Sequence, residues 1–551
     1  MFPAIPFKEC FLINSVSAAV FDAERLLFTP TPSNLDAIPI IFAFPNEYTV
    51  GITSLGYQLV WATLAMRSDV EVSRLFTDVH EPLPQQPKLV GFSFSWELDY
   101  VNIFERLEFL NIPLRSIQRT EKHPLIFGGG PVLTANPEPF ADFFDIILLG
   151  DGENLLGDFI DAYQQVRNES RLTQLRHLAQ VPGIYIPSLY QVSYHSLEGE
   201  IQEIKPLDSS IPSQVQKQTY RGNILSASTV VTEKAAWENI YMVEVVRSCP
   251  EMCRFCLASY LTLPFRTASL EASLIPAIEK GLQVTRRLGL LGASVTQHPE
   301  FDQLLDYLTQ PKYDDVRLSI ASVRTNTVTE KLAKTLAKRE TRTLTIAVET
   351  GSDRLRKIIN KKLENQEILQ AIINAKNGGL QGMKIYGMVG IPGEELEDVQ
   401  ATVDLMKALK KSAPGFRLTL GCSTFVPKSH TPFQWFGVNP DAEKRLKLLE
   451  KQLKSHGIDF RPESYKWSVI QALLSRGDRR LSRLLELVRN YGESLGSYRR
   501  AFKELRGQLP TMEYYVNQNW DLDQVLPWEH LQGPLPVATL KKHLADSLSG
   551  S

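Results

Sequence analysis

Long apolar runs alternate with amphipathic stretches along residues 37–165 of the chain. The apolar runs predict buried strands, and the stretches between them predict helices, because their apolar residues recur every three or four positions. Strands are predicted at 38–44, 88–94, 124–130 and 144–153, and helices at 54–66 and 97–110. Continuous apolar strands separated by helices are typical of a parallel sheet covered on both faces. We therefore predict a doubly wound, Rossmann-like α/β domain at 37–182, after an N-terminal extension at 1–36.

A second alternation of the same kind begins near residue 240. It predicts helices at 354–360, 365–377 and 395–410, between strands at 241–246, 288–293, 316–320, 343–349, 383–390 and 416–422. Repeated strand–helix units favour a partial β/α barrel of the TIM type, which we place at 237–440. Residues 183–236 are irregular and are predicted to be a connector with some extended structure. Residues 441–551 are predicted to be a helical C-terminal region.

Composition narrows the function classes. The chain has 551 residues, of which 43% are hydrophobic and 22% are charged, an ordinary balance for a soluble protein. A formal net charge of −2 gives no overall attraction to nucleic acid or membranes, and no apolar run approaches the ~20 residues of a membrane span. The N-terminal stretch lacks a basic leader, and five cysteines do not resemble a secreted disulfide framework. We therefore expect a cytoplasmic protein.

Three of the five cysteines, Cys249, Cys253 and Cys256, lie within eight positions of one another. Chance clustering of buried thiols is one interpretation. A structural zinc site is a second, but it needs four ligands, and neither another cysteine pair nor a nearby HxxxH supplies the rest. The third is an iron–sulfur cluster held by three thiolates, which leaves one iron open for a substrate or cofactor. The CxxxCxxC spacing after a predicted strand favours the third interpretation.

The motif CxxxCxFC, with Phe255 before the last cysteine, resembles the mark of the radical S-adenosylmethionine (SAM) superfamily. The resemblance implies a 4Fe-4S cluster ligated by Cys249, Cys253 and Cys256, whose unique iron binds SAM. It also implies an electron donor, either a reductase or a flavodoxin- or ferredoxin-type protein, because one electron cleaves SAM to a 5′-deoxyadenosyl radical. Ser248 departs from the pattern, since many relatives have glycine before the first cysteine.

Four further segments resemble the SAM-binding segments of that superfamily. Each also has a plain structural interpretation as a strand-end turn or a helix cap, and their order along the predicted barrel is what favours SAM binding. The acid that the family carries in the turn after the second strand is missing here, so backbone carbonyls would receive the SAM amino group. The candidate contacts are Phe255; Gly292, Ala293 and Ser294 after the second strand; Ser322 and Arg324 after the third; Glu349 after the fourth; and Gly390, Ile391 and Pro392 after the fifth.

The front domain resembles the cobalamin-binding domain that precedes the barrel in one large class of radical SAM proteins. Segment 124–153 carries most of this resemblance, and its glycines permit close approach of the backbone to a large planar ligand. The alternative is that these glycines form tight turns of a doubly wound sheet. His80 follows Asp78 in a DxH spacing, but Leu83 stands where a cobalt-ligating motif has glycine, so we interpret His80 as a loop histidine. The candidate cobalamin contacts are Gly128, Gly129, Gly130, Gly150, Asp151, Gly152 and Glu153.

The C-terminal region carries an excess of positive charge. Residues 441–507 contain sixteen Lys or Arg and nine Asp or Glu. A surface for RNA or an acidic partner is one interpretation, and a solvated helix face is the one we favour. Nucleic acid is therefore left open as a partner, and no membrane partner is expected.

Over nearly the whole chain, the resemblance is to a family of radical SAM proteins with a cobalamin-binding domain, and it implies cofactors and fold without a substrate. The first hypothesis is an enzyme that uses SAM and cobalamin to methylate or rearrange an unactivated carbon. The second is a radical SAM enzyme without cobalamin, whose front domain binds substrate such as RNA or peptide. The third is a non-enzymatic iron–sulfur electron carrier or sensor.

Overall fold

The computed structural model describes residues 18–321 and 323–549, and its first sheet has six strands. The spatial order is β2-β1-β3-β4-β5-β6, and only β6 runs antiparallel to its neighbour. β2 and β3 lie on opposite sides of β1, so the order in which strands are added to the sheet reverses between β1 and β3. Ligands of such sheets bind outside the carboxyl ends of the strands at this point. The strands are β1 (Ile38–Ala43), β2 (Val70–Leu75), β3 (Leu89–Ser93), β4 (Leu125–Gly129), β5 (Ile146–Leu148) and β6 (Ile184–Tyr185).

Helices cover this sheet, as its almost fully buried strands require. A short helix at 18–22 precedes it, and the helix predicted at 97–110 begins with a tight turn at Glu97–Asp99. The other helices are Tyr48–Gly51, Leu55–Ala65, Tyr100–Phe109, Pro131–Ala135, Gly152–Val166 and Arg171–Leu178.

The second half of the chain also folds as parallel β/α units, but its strands form two sheets. Strands β7 (Ile240–Glu244), β8 (Arg287–Leu291) and β9 (Arg317–Ile320) form the first sheet. Strands β10 (Thr343–Glu349), β11 (Gly382–Val389), β12 (Arg417–Thr424) and β13 (Asp459–Pro462) form the second sheet. Within the part of the chain that the structure describes, one parallel bridge, Val323 to Ile346, joins them. The coarse prediction of parallel α/β architecture is therefore confirmed, whereas one continuous barrel sheet is not observed.

The break between β9 and β10 has a visible cause. The backbone N–H of Leu318 donates to the carbonyl of Arg339 at 3.2 Å, and the Thr341 hydroxyl donates to the carbonyl of Leu318. The edge of β9 is therefore satisfied by the loop 339–341, and among the described residues β10 is bridged to this segment beyond the end of β9, at Val323.

Helices flank both sheets and continue to the C-terminus. The helices of the second half are Leu257–Tyr260, Ile275–Leu282, Phe301–Leu308, Glu330–Lys338, Asp353–Ile358, Asn365–Asn377 and Leu396–Ser412. The C-terminal helices are Ala442–Lys454, Tyr465–Arg476, Leu481–Tyr491, Leu495–Glu504, Met512–Val516 and Val537–Leu548. In the described part of the chain, no helix combines the length and apolar character that crossing a bilayer needs.

The described residues also form four two-stranded ribbons. Three of them involve the predicted connector; in two of these, Val215–Gln216 pairs with Leu531–Gln532 and Val230–Val231 pairs with Arg25–Leu26. A third is the hairpin of Tyr190–Tyr194 with Ile201–Pro206, and the fourth joins Val246–Arg247 to Arg266–Thr267. The C-terminal helices share one hydrophobic core with the first sheet.

Candidate functional site

The three clustered cysteines lie in the loop that follows β7. Cys249 and Cys253 stand in the loop, and Cys256 is the N-cap residue of helix Leu257–Tyr260. Ser248 has a φ of 70°, a backbone conformation that favours glycine, and its hydroxyl donates to the carbonyl of Ala258 at 3.1 Å. This conformation gives a physical reason why glycine suits the position before the first cysteine.

Hydrogen bonds hold the cysteine loop against the end of helix Asp353–Ile358. The Arg254 guanidinium donates to the carbonyl of Ile358 at 2.8 Å, and the Arg254 backbone N–H donates to that of Ile359 at 3.0 Å. The side-chain amide of Asn360 donates to the carbonyl of Met252 at 2.9 Å. The loop is therefore positioned from outside, by the segment that follows β10.

Cys249 and Cys253 line a cavity of about 150 Å³ at the carboxyl ends of the second-half strands. Burial raises the pKa of the Cys253 thiol to about 12, and its neighbours Cys256 and Cys249 add to this effect while Lys361 opposes it. Burial also raises the pKa of Cys256. Because the thiolate is the form that binds metal, iron binding at this site must displace protons.

A chain of polar side chains runs around this cavity and joins three elements. The Ser294 hydroxyl donates to the side chain of Gln297 at 2.5 Å, and Gln297 donates to Glu251 at 2.5 Å. Glu251, between the first two cysteines, forms an ion pair with Arg324 at 2.7 Å. The turn after β8, the cysteine loop and the segment after β9 are thus connected around one cavity.

Two cationic side chains, Arg324 and Lys361, line this cavity of about 150 Å³, the smaller of the two cavities described in this section. Three of the five N–H donors of Arg324 are engaged, by the Glu251 ion pair, by Asn326 at 2.9 Å and by the carbonyl of Lys362 at 2.8 Å. Lys361 donates to Glu349 at 3.0 Å. Burial acts against the charge of Lys361, but Glu349 and the nearby Cys253 together raise its pKa. Each cation keeps N–H donors for a ligand.

A second and larger cavity, of about 390 Å³, lies where the carboxyl ends of the first sheet meet those of β7 and β8. Phe42, Ser93, Gly129 and Leu148 line it from four parallel strands of the first sheet. From the opposite side it is lined by Glu244, Ser226, Arg247, Leu291 and Gly292. The turn 292–294 therefore separates the cavities, since Gly292 lines the larger one and Ala293 and Ser294 line the smaller one.

The glycines of the larger cavity fall into two groups. A Cβ added at Gly56, Gly129 or Gly152 would meet no atom closer than 3.6 Å, so their absent side chains leave space open to the cavity. Gly130 and Gly150 have φ angles of 110° and 113°, and a Cβ there would lie 2.6 Å from the carbonyl oxygen of Phe94 and 2.0 Å from that of Gln218, respectively. Glycine is therefore required at Gly130 and Gly150 by the packing of the backbone, independently of any ligand.

Gly150 also supplies a test of this packing argument. Gly150→Ala is expected to destabilise the fold by about 1–3 kcal/mol, through backbone strain and the clash with Gln218. Gly157→Ala, in the interior of helix Gly152–Val166 with no atom within 4 Å, is expected to stabilise by about 0.5–1 kcal/mol. Thermal unfolding midpoints of the two variants check the opposite signs. A midpoint of Gly150→Ala equal to that of the wild-type chain would contradict the clash.

Charges of both signs meet at one end of the larger cavity. Arg247 lies 2.6 Å from Glu153, 2.7 Å from Glu244 and 3.5 Å from Asp151. Arg266 lies 2.5 Å from Asp151. Burial opposes ionisation of Asp151, but Lys217, Arg247 and Arg266 hold its pKa below the usual range. This cluster joins the first sheet to the second half of the chain beside the cavity.

Some predicted contacts lie away from both cavities. A Cβ at Gly128 would meet Phe144 and Leu133 at 2.5 and 2.6 Å, so the glycine makes room for core side chains. Phe255 is partly buried and packs against the hydrophobic core that the first sheet shares with the C-terminal helices. Neither residue is among those that line the two cavities. Ser322 is outside the described residues.

The turn predicted to pass the SAM adenine, Gly390, Ile391 and Pro392, is likewise absent from the lining of both cavities. Gly390 has a φ of 74°, and its N–H donates to the Glu394 carboxylate at 2.7 Å. Burial raises the pKa of Glu394 to about 7, although the Gly390 N–H and Arg445 oppose the shift. The Glu394 side chain therefore occupies the backbone N–H of Gly390 in this turn.

Comparison with models of known protein families identifies the family of this chain. Residues 56–187 match the model described as radical SAM proteins, N-terminal, and residues 243–406 match the model of the radical SAM superfamily. The second match contains the three cysteines and every residue that lines the smaller cavity. The chain belongs to the radical SAM superfamily. The family prediction made from CxxxCxFC is thereby confirmed, and the chain is a radical SAM enzyme.

The chain is also similar to two proteins of known sequence and to one solved structure. An uncharacterised protein of Methanocaldococcus jannaschii is 27% identical over 455 residues, covering 82% of this chain and 91% of that protein. An uncharacterised methyltransferase of Pyrococcus horikoshii is 24% identical over 290 residues, covering 51% of this chain and 57% of that protein. A solved structure of the radical SAM methyltransferase TsrM from Kitasatospora setae, with cobalamin and a [4Fe-4S] cluster bound, is 15% identical, with a TM-score of 0.49 and coverage of 72% and 74%.

The donor set of the radical SAM loop, three thiols, fits a 4Fe-4S cluster that leaves one iron open. Among residues 18–321 and 323–549, no three His, Cys, Asp or Glu side chains converge as ligands of one metal ion. A 4Fe-4S cluster does not require such convergence, because each thiolate binds a different iron. Three thiols beside a buried cation are compatible with an anionic cluster.

Several residues of the radical SAM site were absent from the sequence prediction. Glu251, Gln297 and Lys361 line or border the smaller cavity, and Arg247 lines the larger one. Glu251 has a sequence signal, since it lies between two predicted ligands. The others act through partners that are distant along the chain, and no local pattern marks them.

Proposed function

We propose that this radical SAM enzyme cleaves SAM reductively at a 4Fe-4S cluster held by Cys249, Cys253 and Cys256, forming a 5′-deoxyadenosyl radical. We propose cobalamin as its second cofactor, for methylation or rearrangement of an unactivated carbon. The observation that carries the proposal is the pair of adjoining cavities. One is lined by two of the cysteines and the other by glycines of the first sheet, and the turn 292–294 separates them.

The smaller cavity supports the assignment of SAM. Three thiolates leave one iron of the cluster open to a ligand. Arg324 keeps two N–H donors for the SAM carboxylate, and the Glu251 ion pair holds its guanidinium at the cavity. Ala293 and Ser294 line the cavity from the turn to which the SAM amino group is assigned. A site enclosed by protein also protects a radical from quenching by solvent.

The larger cavity supports the assignment of cobalamin. Its volume of about 390 Å³ is in the range of small-molecule sites, so in the proposal the cavity encloses part of a cobalamin and the rest of the cofactor extends beyond it. Gly56, Gly129 and Gly152, from three different elements, leave open space where side chains would stand. Cobalamin would supply methyl-group transfer between the two halves of the chain. In the proposal, Gly129 and Gly152 line its face, and Gly130, Gly150, Asp151 and Glu153 shape the surrounding turns.

The domain bounds belong to this proposal. We assign the cobalamin-binding-type domain to 37–182, the connector to 183–236, the radical SAM domain to 237–440 and the helical region to 441–551. In it, the sheets β7–β9 and β10–β13 together act as a partial barrel, joined by the bridge at Val323, and β13 is added to the second sheet from the C-terminal region. The consecutive order and parallel direction of these seven strands support this assignment.

Methyl transfer is the outcome we favour over rearrangement. The relative from Pyrococcus horikoshii is described as a methyltransferase. Methyl transfer between two adjoining cavities needs no long-range movement of the methyl group.

Metal content tests the proposal directly. The chain is expressed anaerobically with cobalamin supplied, and iron, cobalt and zinc per chain are measured by mass spectrometry. We expect about four irons and about one cobalt per chain, as one cluster and one cobalamin require. Iron without cobalt would favour the second hypothesis, in which the front domain binds substrate such as RNA or peptide. Zinc in place of iron would overturn the proposal.

A further inference from the structure

Lys361 has an unusual position for a lysine. It lines the smaller cavity together with Cys249 and Cys253, and only 15% of its side chain is exposed. The segment just before it is hydrogen-bonded to the cysteine loop, through the Arg254 N–H to Ile359 and through Asn360 to Met252. Burial raises the pKa of Cys253, and the charge of Lys361 opposes that rise. The register of this segment therefore holds a buried positive charge beside the thiols.

The partner of Lys361 is held by an irregularity in β10. The pairing of β10 with β11 shifts register between Ala347 and Glu349, and Glu349 has a φ of 68°. Bulges re-aim side chains, and a left-handed conformation at a residue other than glycine persists only where the surrounding structure enforces it. The bulge brings the Glu349 carboxylate to 3.0 Å from Lys361 Nζ, with 12% of its side chain exposed.

We propose that Lys361 and Glu349 form a charge pair that sets the reduction potential of the cluster held by the neighbouring cysteines. This inference rests on the proposed function, because it requires the cluster. Reduction adds one electron from a low-potential donor of the flavodoxin or ferredoxin class, and no bond forms or breaks in that step. Lys361 stabilises the state that carries the added electron, whereas Glu349 opposes it.

The geometry predicts opposite effects for the two members of the pair. Charges inside a protein interact more strongly than in water, so removing a buried cation disfavours the added negative charge. Charges and hydrogen bonds next to the cluster and its ligands are known determinants of cluster potentials. Lys361→Met is therefore expected to lower the potential, and Glu349→Gln to raise it. A variant with both substitutions is expected to return towards the wild-type potential.

The experiment is a redox titration of the SAM-free, iron-loaded chain, followed by visible absorption and electron paramagnetic resonance. Each single substitution is expected to change the reduction equilibrium about tenfold, which equals about 59 mV for one electron. Lys362→Met is the matched control, because Lys362 is the adjacent lysine and its side chain is exposed. It is expected to leave the potential unchanged.

Iron content separates the possible outcomes. Equal iron in all variants, with shifts of opposite sign, supports the charge pair. Equal iron with no shift, or with shifts of the same sign, overturns it and leaves the proposed function standing. If Lys361→Met holds no iron, Glu349→Gln is the remaining test, since that variant keeps the cation. A raised potential in Glu349→Gln then supports the charge pair, and an unchanged or lowered potential overturns it. A wild-type chain without iron would instead contradict the proposed function, and the inference with it.

Discussion

Cys253→Ser is expected to abolish cluster binding and SAM cleavage. Cys253 is buried in the loop between the two other cysteines, and a serine hydroxyl does not replace a thiolate as an iron ligand. Changes to residues that only hydrogen-bond to a metal ligand already cost about 10–100-fold in affinity or activity, so loss of a ligand itself is expected to cost more than about 100-fold. Iron per chain and release of 5′-deoxyadenosine from SAM under reducing conditions measure the two effects.

Cys422→Ser is the matched control for this experiment. Cys422 is a buried cysteine on β12, outside the cysteine loop. The same substitution there is expected to leave iron content and SAM cleavage close to wild type, with a modest loss of stability from a buried hydroxyl. Full iron in Cys253→Ser, or loss of iron in Cys422→Ser, would contradict the assignment of the three ligands.

The elements of the fold were predictable where local signals decide them. The helix predicted at 365–377 has the same bounds in the structure, where a capping box between Glu364 and Glu367 begins it and Gly378 follows its last residue. The break between β9 and β10 was not predictable from such patterns. It depends on which neighbour satisfies the edge of β9, and Arg339 and Thr341 do so in place of β10.

The residues of the candidate site likewise fall into those that a local sequence pattern marks and those that only the tertiary structure distinguishes. The cysteines were found because three ligands lie in one short motif. Lys361 and Lys362 are adjacent and identical in type, and only tertiary structure distinguishes the one that lines the cavity from the one that is exposed. Gly128 and Gly129 are also adjacent, yet only Gly129 lines the larger cavity, while Gly128 makes room for Phe144. A glycine-rich pattern indicates the neighbourhood of a site without assigning each glycine its role.

Gly152→Leu is expected to remove cobalamin from the chain and leave the cluster in place. Gly152 lines the larger cavity at the first turn of helix Gly152–Val166, and the nearest atom to an added Cβ is a methyl group of Val60 at 3.7 Å. The backbone therefore accepts a side chain there, and leucine would occupy space that the proposal gives to the cofactor. Bound cobalt after gel filtration is expected to fall at least about tenfold, which corresponds to about 1.4 kcal/mol of binding free energy.

Gly157→Leu distinguishes loss of the cofactor space from a general effect on the helix. It makes the same change in the same helix, at a position with no atom within 4 Å and outside the lining of the larger cavity. Both variants are expected to hold about four irons per chain, because the thiol site lies in the other cavity. Cobalt retained at the wild-type level in Gly152→Leu would exclude this cavity as the cobalamin site. Equal loss of cobalt in both variants would mean that the helix, and not the open space at Gly152, controls binding.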